Sequence, residues 1–162
     1  MMSLELFPLL LLIIIANGAP ILARKVLNKH FDLAVDFGQK LADKNRLFGN
    51  SKTWRGIFAS LLATTVAAWL LDYPPETGAL IAAYAMSGDL LSSFIKRRLS
   101  MKPASMAPLL DQVPESLLPA YLLKNEFNLD SSSITILVLI FIILELLLSH
   151  ILYRYGVRKR PY

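Results

Sequence analysis

The chain has 162 residues, room for one domain, with 55% apolar residues, a mean hydropathy of +0.50 and a formal charge of +5. The absence of cysteine excludes a disulfide framework, a thiolate nucleophile and a Cys-ligated zinc centre, and the two histidines, His30 and His150, form no HExxH pair. The apolar residues are gathered in blocks rather than spread at an amphipathic period, which marks an integral membrane protein.

The first block runs from Leu4 to about Leu22. Its start carries Glu5 and no Lys or Arg, which favours a retained span over a cleaved leader. Its inner part reads ANGAPILA, where Asn17, Gly18 and Pro20 predict a helix break that opens room for a ligand. Residues 24 to 55 then form the one long polar connection, ending DKNRLFGNSKTWRGIF. Here Gly49 and Gly56 bracket Lys52, Thr53 and Arg55 just before the second block, a setting that suits phosphate oxygens at a helix N-terminus. The G-x-x-x-x-G-K-[ST] spacing is absent, and a basic segment resting on anionic headgroups is an equally good reading of the pattern.

The second and third blocks are Ile57 to Tyr73 and Thr77 to Ile95. In helical geometry Asp89, Ser92, Ser93, Lys96 and Arg97 share one face of the third, with Asp89 about 10 Å below Lys96. A carboxylate at such a depth costs roughly 2.5 kcal/mol or more unless it meets a wet cavity, a partner or a metal ion. Two readings stay open: an internal counter-ion beneath an ordinary cationic anchor, or part of a ligand site.

The fourth block, Leu109 to Leu123, is short and holds Asp111, Gln112, Pro114, Glu115 and Pro119, so a broken or re-entrant helix is expected. Asp111 re-enters the membrane at a depth similar to that of Asp89. Two carboxylates from adjacent segments, set among cations, make a site for Mg²⁺ with a polyphosphate; capping of the helix by Asp111, with Glu115 in its first turn, is the alternative. The fifth block, Ser133 to Tyr153, contains one further acid, Glu145, with Ser149 a turn beyond.

With five spans, every lysine and arginine except Lys124 falls on one side, clustered in residues 24–55, 96–102 and 154–160. The positive-inside rule puts that side in the cytoplasm and the N-terminus outside. Trp69, Tyr73 and Tyr153 suit interfacial anchoring. The expectation is an all-α integral membrane protein of the plasma membrane. It has five transmembrane helices, a cytoplasmic C-terminus, a long cytoplasmic loop between helices one and two, and a single domain over residues 1–162.

LFGNSKTWRG, SGDLLSSFIKRR and APLLDQ, in that order, resemble the CDP-archaeol synthase family of membrane cytidylyltransferases, relatives of the larger CDP-diacylglycerol synthases. The likeness extends from Asn17 to about Tyr121. Ser87, Lys96 and Arg97 also satisfy the S-x8-K-R opening of the larger family's signature. Its Gly-His-Gly-Gly run is missing, and of its D-x-x-D pair only Asp111 is present, with Pro114 in the second place and Glu115 beside it. The family's Asp-Gly-Gly-like patch reads Asp36, Phe37 and Gly38.

The resemblance implies transfer of CMP from CTP to a lipid phosphate in the presence of Mg²⁺. Asp89 and Asp111, with Glu115, would hold the metal, and Lys52, Arg55, Lys96 and Arg97 the phosphates. Thr53, Ser92 and Ser93 would donate hydrogen bonds, with Asn17 lining the pocket. The implied partners are CTP, a lipid phosphate and the membrane, with no nucleic acid; a homo-oligomer and the choice of lipid acceptor are left open. A CTP-dependent lipid kinase and a non-enzymatic lipid-phosphate or anion carrier are the competing functions.

Overall fold

In the computed structural model, which describes residues 5–102, 105, 107 and 109–157, the chain is all-α. Its helices are α1 (Leu6–Leu27), α2 (Trp54–Leu70), α3 (Pro75–Arg98), α4 (Gln112–Leu122) and α5 (Ser131–Arg154). Each answers to one apolar block of the sequence. Leu4 and the cations Arg158, Lys159 and Arg160, which entered the reading of spans and charge, lie outside the described residues.

Three helices, α1, α3 and α5, are long and apolar enough to cross a membrane. The 17 residues of α2 are apolar but shorter. With 11 residues, α4 reaches only about 16 Å, half a bilayer core, as its prolines and charges predict. Helix starts follow local chemistry. Thr53 is extended and its hydroxyl accepts the Gly56 N–H at 3.2 Å, Asp130 accepts that of Ser133 at 2.9 Å, and Pro75 opens α3 where no N–H is needed.

The expected break in α1 does not occur: the helix continues through Pro20 to Leu27. Proline removes one backbone bond, but its ring packs against α2 at Gly56, where a β-carbon would lie 3.2 Å from Pro20 Cβ. The helix thus continues, packed against its neighbour, through a residue that local rules would use to interrupt it.

The apolar core fills the half of the bundle near the N-terminus, where Leu6, Leu9, Leu12 and Ile13 of α1 meet Ile81 of α3, Phe127, and Ile134, Leu137 and Phe141 of α5. Outward-facing Phe7, Leu11, Phe58, Leu62, Leu139, Ile143 and Leu147 leave these helices apolar all round, as lipid contact requires. Trp69 and Tyr153 remain exposed near helix ends, whereas Tyr73 turns inward, stacking on Phe127 with ring centres 5.3 Å apart and donating its hydroxyl to Glu5.

Two glycines set the helix spacing. A β-carbon on Gly78 would stand 2.6 Å from the Thr64 carbonyl oxygen of α2, and one on Gly88 would stand 2.2 Å from that of Pro114 in α4. Backbone-to-backbone approach of this kind is how small residues join helices in lipid.

Candidate active site

The 28–53 connection is built around one buried acid. Asp36 accepts N–H bonds from Gly38 (3.0 Å), Phe48 (3.1 Å) and Gly49 (2.9 Å), and pairs with the Arg46 guanidinium. Burial by itself would raise the pKa of this carboxyl; Arg46 and the three amides outweigh it and hold the group well below the usual carboxylate range. The loop is then stitched to α2: Val35 donates to Lys52 O at 2.9 Å and Trp54 to Leu33 O at 3.0 Å. Arg55 donates to the Asn28 and His30 carbonyls at 2.9 and 2.6 Å, and to Asp32 at 3.1 Å. These bonds fix Lys52 where it can point down into the bundle.

From the other side, Gly88 presses α3 onto the first turn of α4, so that Asp89 and Glu115 meet in side-chain contact. Lys52 Nζ donates to both oxygens of Asp89. Burial opposes the charge on Lys52, but the carboxylates of Asp89, Glu115 and Asp111 prevail and raise its pKa above the ordinary lysine value. Lys96 Nζ lies 2.6 Å from Asp111 Oδ1 as an ion pair without hydrogen-bond alignment, while Asp111 Oδ2 accepts the Ala107 N–H at 3.2 Å. Asp111 therefore stands at the N-cap of α4 but does not cap it with its side chain. On the α5 side, Gln112 Nε2 donates to Glu145 at 2.8 Å.

These groups border a cavity of about 1140 Å³. It is bounded by the inner half of α1, residues 50–57, α3, the start of α4, and α5 at Glu145 and Leu146. Its size exceeds the usual range for a single small ligand.

Of the residues singled out from sequence, Asn17, Lys52, Thr53, Arg55, Asp89, Lys96, Asp111 and Glu115 all line this space. Ser92, Ser93 and Arg97 are buried but do not line it. The Ser92 hydroxyl donates to the Asp89 carbonyl at 3.0 Å within its own helix. Arg97 donates to the Lys102 carbonyl at 2.9 Å, and its Cδ lies 3.8 Å from where a Gly49 β-carbon would stand. Of the five polar α3 residues set at helical spacing, only Asp89 and Lys96 border the cavity; Ser92, Ser93 and Arg97 are buried away from it, Arg97 beside Gly49 of the loop. Asn17 sends its amide nitrogen to the Ile13 carbonyl at 3.0 Å. The direct Lys52–Asp89 pair and the Gln112–Glu145 link do not follow from sequence spacing. The signal for the second was present, since an acid in an apolar helix requires a polar neighbour.

Comparison with known proteins is consistent across sequence and fold. The family model described as CarS-like, CDP-archaeol synthase, matches residues 9–73 and 75–162. A CDP-archaeol synthase of Pyrobaculum arsenaticum is 37% identical over 116 residues, 68% of each chain, and one of Sulfolobus acidocaldarius is 30% identical over 139 residues, 79% of this chain and 82% of the relative. A solved structure described as an intramembrane enzyme for archaeal membrane lipid biosynthesis superposes with a TM-score of 0.71 at 29% identity, covering 86% of this chain and 89% of that one. The bundle is accordingly a membrane-embedded, multi-pass one. Since the matched segments contain every acid and lysine of the cavity, the chain belongs to the CDP-archaeol synthase family.

Proposed function

We propose that this cavity is the site at which the chain performs the reaction of its family, transfer of CMP from CTP to a lipid phosphate. CTP:lipid-phosphate cytidylyltransfer is the activity characteristic of CDP-archaeol synthases, and the chain is a nucleotidyltransferase of that kind. An oxygen of the lipid phosphate attacks the α-phosphorus of CTP, the bridging α–β bond breaks, and its electron pair leaves with pyrophosphate. A phosphate monoester has its second pKa near 6, so the attacking oxygen is already ionised and needs no histidine base. What the step requires is relief of repulsion between anions and stabilisation of the departing charge.

Lys52, Lys96 and Arg55 supply fixed positive charge and Thr53 a hydroxyl, while Arg24, Lys25 and Lys29 line the same cavity and draw anions in. Ser92, Ser93 and Arg97 take packing roles in this reading. The donor set suits Mg²⁺: Asp89, Asp111 and Glu115 offer only hard oxygen ligands, and the Lys52 ammonium already shows a cation seated across Asp89. Among the described residues no three acidic or imidazole side chains close into a cage. Mg²⁺ commonly takes one or two carboxylates and completes its shell with water and substrate phosphates, so Asp89 and Asp111 would be the protein's share of the ligands. Held by these residues, the ion would neutralise phosphate charge as a Lewis acid.

The apolar borders of α1 and α5 support approach of the lipid from the bilayer, and CDP-archaeol, the product named for the relatives, makes an archaeol-type ether-lipid phosphate the first acceptor to test. The clustering of cations at one end of the bundle supports an orientation with the N-terminus outside and the cavity facing the cytoplasm, in the plasma membrane.

The observation that carries this reading is the convergence of Asp89, Asp111, Lys52 and Lys96 on one cavity. Purified protein in lipid, given cytidine-labelled CTP, Mg²⁺ and a panel of lipid phosphates, is expected to label the lipid and release pyrophosphate. Asp89→Asn is expected to abolish labelling while leaving insertion intact. Turnover near that of the parent would remove Asp89 from the site, and γ-phosphate in the lipid without cytidine would make the enzyme a kinase.

A further inference from the structure

The proposed reaction draws its polar groups from the loop, the start of α2, α3 and α4, and gives α5 only an apolar border. Yet α5 brings Glu145 into the cavity from an otherwise apolar run. Its Oε2 accepts from Gln112 Nε2 at 2.8 Å, and the Ser149 hydroxyl lies 3.4 Å from Oε1. Gln112 is buried, and its other amide atom is also used: Oε1 accepts the N–H of Leu109 at 3.0 Å.

Leu109 has φ +68, the left-handed region that side-chain-bearing residues seldom occupy unless their surroundings force it. Gln112 is the residue that bonds it there. Between the two stands Asp111, with one oxygen on the Ala107 N–H and the other facing Lys96. A continuous run of bonds therefore leads from α5 to the turn that aims Asp111: Glu145 holds Gln112, Gln112 holds Leu109, and the closed turn sets the carboxylate.

We propose that Glu145 is a positioning residue for Asp111, acting through Gln112 to fix the turn that presents this carboxylate to a divalent ion. The proposal rests on Asp111 being a metal ligand in the reading above. Outer partners that orient ligands typically change metal affinity by about 10- to 100-fold when lost, so the effect belongs in ion binding more than in lipid recognition.

The test separates reach from charge. Glu145→Asp keeps the charge but withdraws the carboxylate by one methylene, while Glu145→Gln keeps the reach and an oxygen that accepts from Gln112. The full chain in lipid nanodiscs is titrated with Mn²⁺ beside a non-reactive α,β-methylene analogue of CTP, and binding is read by electron paramagnetic resonance. Glu145→Asp is expected to weaken Mn²⁺ binding about tenfold, with the same rise in the Mg²⁺ needed for half-maximal rate and no change in KM for the lipid. Glu145→Gln is expected to stay close to the parent. So is the exchanged pair Glu145→Gln with Gln112→Glu, which rebuilds the bond with donor and acceptor reversed. The opposite order of the two single variants would make Glu145 a plain negative charge and overturn the proposal, as would parental Mn²⁺ binding in both. If the parent itself binds no Mn²⁺, the assignment of Asp111 as a ligand fails first, and the proposal with it.

Discussion

The Lys52–Asp89 pair lines the cavity proposed as the site, and each partner depends on the other. Both side chains are only about one-fifth exposed (21% and 20%), so removing one leaves a charge with little water to receive it. Lys52→Ala is expected to abolish transfer and to destabilise the protein by roughly 3 kcal/mol, a figure for breaking buried pairs. The double variant with Asp89→Asn is expected to regain much of that loss, because the orphaned charge is gone; thermal unfolding of the four proteins of the cycle measures it. Asp36 acts by the same logic in the loop. Its carboxyl is more acidic in the folded chain than in the unfolded one, so its contribution is complete above the ordinary aspartate pKa and fades only as pH falls below that range. Hydrogen-exchange protection at the Phe48 and Gly49 amides is therefore expected to persist from pH 7 down to about pH 4.5, while Asp36→Asn lowers it about tenfold at either pH, as loss of a charged hydrogen bond predicts.

Among the helices, the α3–α4 contact at Gly88 decides whether Asp89 and Glu115 meet. Gly88→Ala places a methyl group inside the Pro114 carbonyl, and the helices must part. Activity is expected to fall at least tenfold, with a lower melting temperature. Gly18→Ala serves as the control, for nothing lies within 4 Å of its added β-carbon and alanine favours a helix by about 1 kcal/mol. Equal behaviour of the two variants in a labelled-CTP assay would remove the significance of the close approach. The five helices were legible because apolar blocks report span length directly. The face shared by Asp89 and Lys96 was legible because helical spacing is local. The continuity of α1 past Pro20 was not, since Pro20 packs against Gly56 of another helix, nor was the burial of Ser92, Ser93 and Arg97 away from the cavity, which tertiary packing decides. Sequence spacing assigns a face; only the neighbours decide which part of it stays open.

For the molecule as a whole, charge is distributed by end. Arg24 and Lys25 close α1, Lys96 to Arg98 close α3 and Arg154 closes α5, while Lys124 stands at the other end near Asp130. The natural chain contains no cysteine, so single cysteines report sidedness without background. In sealed right-side-out vesicles, Asn125→Cys is expected to react with a membrane-impermeant maleimide and Lys44→Cys only after the membrane is opened. The reverse pattern would invert the proposed orientation.

The loop that carries Lys52 precedes α3 in the chain, and this order matters while the protein is being made. Asp89 leaves the ribosome after its cationic partner, so the ammonium group is ready before the acid must enter lipid, where a lone carboxylate at mid-helix costs roughly 2.5 kcal/mol or more. In the finished structure the loop held by Asp36 presents that ammonium to both Asp89 oxygens, so the acid of the third span ends with its charge balanced by a segment made before it.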